Sequence, residues 1–241
     1  MASSNIRAEK PCGEKRGRGR PQSFDRSKAL CAAMRLFWDR GYEGARFDDL
    51  IAAMGISPSS FYNAFGSKER LYQEAIDAYL EAAGTWFLRI LHENVDTRTA
   101  FEKLMLAAAM EFTREDLPAG CMISVSGTQG GPEQARLRDL MARQRALSEA
   151  ALVERLRKGI ADADLPAHTD AEGLAAFFSA LFRGMAVQAR DGASREKLLE
   201  IGRIGMLAWP AEPFAVPAAG FQNPASPMNP ALPMNTETDC R

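Results

Sequence analysis

Histidine is scarce: His92 and His168 are the only two in 241 residues. The four cysteines, Cys12, Cys31, Cys121 and Cys240, are scattered without metal-ligand spacing. A zinc site and a compact disulfide framework are therefore both unexpected, and free thiols in a reducing compartment are the expectation. Long apolar runs are missing too. The longest, Leu104 to Met110 and Leu174 to Phe182, are too short or too interrupted to span a bilayer. The start, Met1-Ala2-Ser3-Ser4-Asn5, has no secretory apolar stretch, so the chain is expected to stay in the cytoplasm, off the membrane. No catalytic motif is visible, and so little histidine leaves few acid–base groups, which argues against an enzyme and against any cofactor.

Charge is present but unevenly placed. Thirty Lys and Arg against 31 Asp and Glu give a net charge of −1. Yet Arg7, Lys10, Lys15, Arg16, Arg18 and Arg20 crowd the start, opposed there only by Glu9 and Glu14. Residues 1–22 have no apolar periodicity to offset the entropy of ordering, and read as a flexible basic arm.

From Ser23 the period changes to that of helices. Leu30, Ala33, Met34 and Phe37 share one face and Gly41 offers a left-handed stop, which predicts a helix over about 25–40. Phe47, Leu50, Ile51 and Met54 predict a second, short helix ended by Gly55. Ser57 caps a third over about 58–64, with Pro58 at its first position and Phe61 and Phe65 one turn apart. Gly66 breaks it and Ser67 caps a long seam, from Leu71 through Ala83 to about residue 92. Further helices are predicted from Asp96 through Phe112, from Pro132 to Ala161, over about 170–190, and from Ser194 to about Leu207. Residues 121–129 are ambiguous, and the Pro-rich stretch 210–241 reads as a disordered tail. The expectation is all-α: a three-helix head over 23–68 and a larger helical body over 69–209.

Two short helices joined by Gly55-Ile56-Ser57 have the form of a helix-turn-helix, whose second helix enters the DNA major groove N-terminus first. Opposite Phe61 and Phe65 stand Ser59, Ser60, Tyr62 and Asn63, hydrogen-bonding groups able to reach bases or phosphates. Ser57 and Pro58 open that helix toward phosphate, and Lys68 can add a charge contact to the backbone.

Here the sequence resembles a known family. Leu36-Phe37, Gly41-Tyr42, Phe47-Asp48-Asp49-Leu50, Met54-Gly55-Ile56-Ser57, Phe61-Tyr62 and Phe65-Gly66-Ser67-Lys68 look like the DNA-binding domain of TetR regulators over residues 24–80. The resemblance implies a dimer whose head binds a double-stranded operator and whose body binds an inducing small molecule. It also implies base reading by Ser59, Ser60, Tyr62 and Asn63. The chain departs from the family at Ala45 and Arg46, where Thr or Ser is common, and at Asn63 and Ala64, where an aromatic and a histidine are common. Arg46 therefore brings a cation, not a neutral cap, toward DNA. In the arm, Arg18-Gly19-Arg20-Pro21 is similar to hooks that enter narrow A·T-rich minor grooves; a solvated basic tail explains it equally.

For the body, the resemblance implies a cavity for a small apolar or aromatic inducer. Trp86, Met105, Phe112, Cys121, Met122 and Phe178 are the candidate lining. Cys121 is either a small buried hydrophobe or an oxidant- or electrophile-sensing thiol. Excess apolar residues on the last two helices, Phe177, Leu181, Phe182, Leu198 and Ile201, fit a four-helix homodimer interface or packing within one subunit. A symmetric dimer would read half-sites about 34–36 Å apart, or a multiple of it. A non-specific architectural protein is the remaining alternative.

Overall fold

Asp25 opens the first helix by accepting the backbone N–H groups of Ser27 and Lys28, and the chain that follows is helical throughout its described parts. The computed structural model describes residues 24–82, 85–126 and 135–210. The arm and nearly all of the Pro-rich stretch, with Ala83 and Pro132, lie outside these residues. Among the described residues there is no strand, and no helix is long and apolar enough to cross a membrane.

The head consists of α1 (Arg26–Gly44), α2 (Phe47–Met54) and α3 (Pro58–Phe65). Gly41, at φ 69°, bends α1 where the sequence places its stop, so a final turn runs on to Gly44. The body follows as α4 (Lys68–Ala82), α5 (Thr85–Leu91), α6 (Thr97–Phe112), α7 (Met122–Val125), α8 (Ala135–Ala161), α9 (Ala171–Arg190) and α10 (Arg195–Gly205). A 3-10 turn, Met206–Ala208, follows α10. The seam expected from Leu71 to residue 92 is helical as α4 and α5, with residues 83 and 84 between them outside the described residues. The ambiguous stretch contains one helical turn, α7.

Side chains that recur every three or four residues form one continuous core. Phe37, Leu50, Phe61, Phe65, Leu71 and Tyr72 fill the head, each at most 1% exposed. Full burial of one such side chain stabilises by roughly 1.5–3 kcal/mol. In the body, α6 lies against α9 and α10, while α8 lies against α9. Small residues allow the closest approaches: a Cβ on Gly202 would come within 3.1 Å of Met105.

Gly120 combines a close backbone approach with a left-handed conformation. Its N–H donates to the Phe112 carbonyl at 2.9 Å, closing the loop after α6. Its φ is +79°, and a Cβ there would lie 2.4 Å from the Ala186 carbonyl oxygen. Gly120→Ala therefore combines a left-handed backbone with overpacking, and should lower the unfolding free energy by about 2–4 kcal/mol. Urea unfolding followed by circular dichroism measures it; an unchanged midpoint would refute this reading.

Candidate DNA-binding face and effector cavity

The turn between α2 and α3 is built from three local signals. Gly55 takes the left-handed conformation at φ 64°, ψ 34° and ends α2. Ile56 drops into the core. Ser57 then accepts the Ser60 N–H at 3.2 Å, capping α3, while Pro58 occupies its first turn. Arg46 precedes α2 without making a side-chain cap, as its substitution for Ser or Thr implies. Asp48 and Asp49 in the first turn complement the helix dipole, and Arg40 holds Asp49 at 2.9 Å.

Aromatic rings lock α3 in place. Phe61 meets Phe47 edge-to-face at 4.9 Å and Phe65 at 6.0 Å. Both α3 phenylalanines are fully buried, so the opposite side of the helix faces water. Ser57, Pro58, Ser59, Tyr62 and Asn63 are exposed there, and Ser60 is partly so. Tyr62 is 57% exposed although its ring stacks on Phe47 at 5.6 Å. The Ser59 and Ser60 hydroxyls each lie 2.9 Å from the Ser57 hydroxyl, a cluster of polar oxygens at the α3 N-terminus. Arg46 is exposed near this edge. The Lys68 ammonium sits over the Tyr42 ring at 4.4 Å, and partial burial lowers its pKa against the pull of Glu43. Arg18 and Arg20 lie outside the described residues.

The body contains a cavity of about 310 Å³. Tyr79 and Leu80 of α4, Trp86, Phe87 and Leu88 of α5, and Phe112 of α6 form its apolar side. Trp86, Phe87 and Phe112 each meet the Phe182 ring at 4.8–5.9 Å. Gln144, Arg145 and Ser148 of α8, with Ser179 and Arg183 of α9, add polar groups. Cys121 lines the cavity, and the Tyr79 hydroxyl donates to its Sγ at 3.2 Å. Burial first, then Cys121, pushes the Tyr79 phenol well above its ordinary range.

Three of the six residues expected to line a cavity do so: Trp86, Phe112 and Cys121. The other three are displaced by the packing around them. Phe178 meets Phe101 and Trp209. Met105 lies against α10, and Met122 is fully buried in the core. Phe182, Tyr79, Arg145 and Arg183 are lining residues that the sequence reading missed. Phe182 was assigned to an interface, and Arg145 and Arg183 were not singled out.

The interface candidates also divide. Phe177 is 41% exposed on α9, and Ile201 is partly exposed on α10. Leu198 is fully buried within the subunit and has no surface to offer a partner, which corrects its assignment. Leu181 covers Gly205, joining α9 to α10 inside one subunit, and Phe182 faces the cavity. Exposed Ala176, Ala180, Gly184 and Val187 continue an apolar, small-residue stripe along α9, with Ile204 and Leu207 exposed nearby in sequence on the last helix and turn.

A helix-turn-helix with an exposed polar recognition edge, mounted on a helical body, defines a DNA-binding transcriptional regulator rather than an enzyme. Comparison with known proteins agrees. Residues 29–75 match the family model "Bacterial regulatory proteins, tetR family", and residues 101–199 match "Tetracyclin repressor-like, C-terminal domain". The chain belongs to the TetR family. It is 34% identical over 197 residues to the HTH-type transcriptional repressor ComR of Escherichia coli strain K12, covering 81% of this chain and 94% of ComR. It is 26% identical over 181 residues to BdcR of the same strain, covering 75% and 86%. A cysteine mutant of the TetR family regulator CifR, solved with 26-bp operator DNA, superposes with a TM-score of 0.77 and 41% identity, covering 79% of this chain and all of that one.

Because the Ser57 cap holds the start of α3, Ser57→Ala should destabilise the protein by about 1 kcal/mol. Phe61→Ala, which empties the fully buried side of the same helix, should cost about 3–5 kcal/mol. Chemical denaturation of both variants ranks them; the reverse order would contradict the division of α3 into a buried lock and an exposed edge.

Proposed function

We propose that the chain is a repressor that binds a palindromic operator as a homodimer and is released when a small apolar or aromatic molecule fills the body cavity. The observation that carries this reading is the α3 edge, polar and exposed while the phenylalanines behind it are fully buried. The names of ComR and BdcR as repressors, and CifR bound to operator DNA, support it. In this reading Ser59, Ser60, Tyr62 and Asn63 contact bases or nearby phosphates. Ser57 and Pro58 bring the α3 N-terminus to the backbone, joined by Arg46 and Lys68. Arg18 and Arg20 supply minor-groove contacts from the arm.

Footprinting on DNA flanking the chain's own gene tests the first step. A discrete palindromic protection is expected, whereas uniform coating would favour the architectural alternative. Joint replacement of Ser60, Tyr62 and Asn63 by Ala should weaken operator binding at least tenfold, since a single good base contact contributes about 1–3 kcal/mol. Lys68→Gln should weaken all sequences similarly and reduce the salt dependence by about one ion.

The dimer is assigned to the exposed faces of α9 and α10, including Phe177 and Ile201. An added side chain at Gly184 meets nothing within 4 Å inside the subunit. Gly184→Glu should therefore preserve helicity yet yield monomers in sedimentation, with loss of operator binding. A dimer that persists would move the interface elsewhere.

A second reading rests on Cys121, whose thiol lines the cavity beside the Tyr79 hydroxyl. Addition of that sulfur to an electrophile, or its oxidation, would place new atoms where an inducer would sit. Cys121→Ser retaining full oxidant-triggered DNA release would discard it.

A further inference from the structure

The aromatic cavity has a cationic wall. Among its described lining residues are two arginines, Arg145 and Arg183, and no Asp, Glu, Lys or His. The two are close enough that Arg183, after burial, is the next cause lowering the Arg145 pKa. Their surroundings differ. Arg183 is neutralised by Glu149 at 3.3 Å. Arg145 donates only to main-chain carbonyls, those of Ile123 and Ser126, at 3.2 and 3.0 Å, and both bonds use the same Nη1 nitrogen. Its Nε and Nη2 have no acceptor among the described residues, and no carboxylate there pairs with it.

A partly buried guanidinium beside a second one is short of negative charge, and such a group is stabilised by any anion that replaces its lost hydration. The planar fork of an arginine matches the two oxygens of a carboxylate. One uncompensated charge calls for one negative charge, not two. The rest of the wall, Trp86, Phe87, Phe112 and Phe182, suits an apolar or flat body, and the volume lies at the small end of ligand pockets.

We infer that the ligand of this cavity is a small monoanion: a single carboxylate on an aromatic or short apolar body, its head group held by Arg145 and Arg183. This rests on the cavity being the effector site proposed above. A neutral arene gains only the apolar side. An arylalkanoate gains both, and its charge supplies the counter-charge that Arg145 lacks among the described residues.

The test compares 3-phenylpropionate with its neutral isostere, 3-phenylpropionamide, by calorimetric titration of the full-length protein, with release of a labelled operator duplex followed in parallel. The acid should bind at least about tenfold tighter than the amide. Arg145→Gln should reduce that ratio toward one. Because Arg145 also braces the α7 carbonyls, a second variant avoids that contact: Glu149→Gln frees Arg183 and should tighten the acid without tightening the amide. Trp86→Ala should weaken acid and amide alike. Equal binding of the two by the unaltered protein, or no binding of either at millimolar concentration, overturns the inference. Acid-selective binding that leaves the operator complex intact upholds the anion site and counts instead against release by this cavity.

Discussion

The packing of α4 against α1 is the constraint on which the rest of the structure depends. Leu71 and Tyr72 at the start of α4 complete the head core, and Tyr72 meets Phe37 at 4.9 Å and Tyr42 at 5.1 Å. Two turns later Tyr79 meets Trp38 of α1 at 4.9 Å, while also lining the cavity and donating to Cys121. One helix is thus core for the head and wall for the cavity. Close-packed rings do not deform smoothly, so in the proposed mechanism a change at the Tyr79 end would move α4 and α1 together.

Within the head, stability and recognition occupy different sides of the same eight-residue helix. Phe61 and Phe65 contribute burial, while Tyr62 and Asn63 stay exposed and form the proposed operator edge, although the Tyr62 ring still meets Phe61 at 5.3 Å and Phe47 at 5.6 Å. The cavity makes the opposite compromise. Its rings Trp86, Phe112 and Phe182 border a space as well as one another, and a ligand of the proposed kind would gain dispersion contacts from them.

How much could be read beforehand follows from the range of the interactions involved. The head was legible nearly residue by residue, because Gly55, Ser57-Pro58 and Gly66 act on their immediate neighbours and the 3.6 period reports the buried face directly. The body helices were legible as helices. The cavity was only half legible. Phe178 and Phe182 are one turn apart on α9 and look alike in sequence, yet Phe178 meets Phe101 and Trp209 whereas Phe182 meets Trp86 and Phe112. That difference comes from which parts of α5, α6 and the segment after α10 meet each ring, which no local pattern encodes. Arg145 and Arg183 carried no signal at all, since an arginine on an amphipathic helix is ordinarily solvated. Leu198 failed for a related reason: a surplus of apolar residues on α10 does not say which of its sides meets α6.

A single helix gathers these parts. On α9, Ser179, Phe182 and Arg183 border the cavity, Ala180 and Gly184 lie on the exposed face, and Arg190 donates through Nη1 to the Trp38 carbonyl at 2.6 Å and through Nη2 to that of Asp39. The last contact ties the end of α9 to α1, close to the Trp38 ring that rests on Tyr79. Cavity and head are therefore joined through α4 and through α9, and both of these routes converge on one turn of α1. A ligand shifts such a system only by its difference in affinity for two arrangements, and a near-complete reversal requires about a 10⁴-fold difference. Apolar contacts alone are forgiving of small displacements, whereas a hydrogen-bonded ion pair is lost when its partners move apart by an ångström or two. A charged group on the same rigid helix that holds α1 is thus the better discriminator between arrangements, and Arg183 occupies that position on α9, two turns from Arg190.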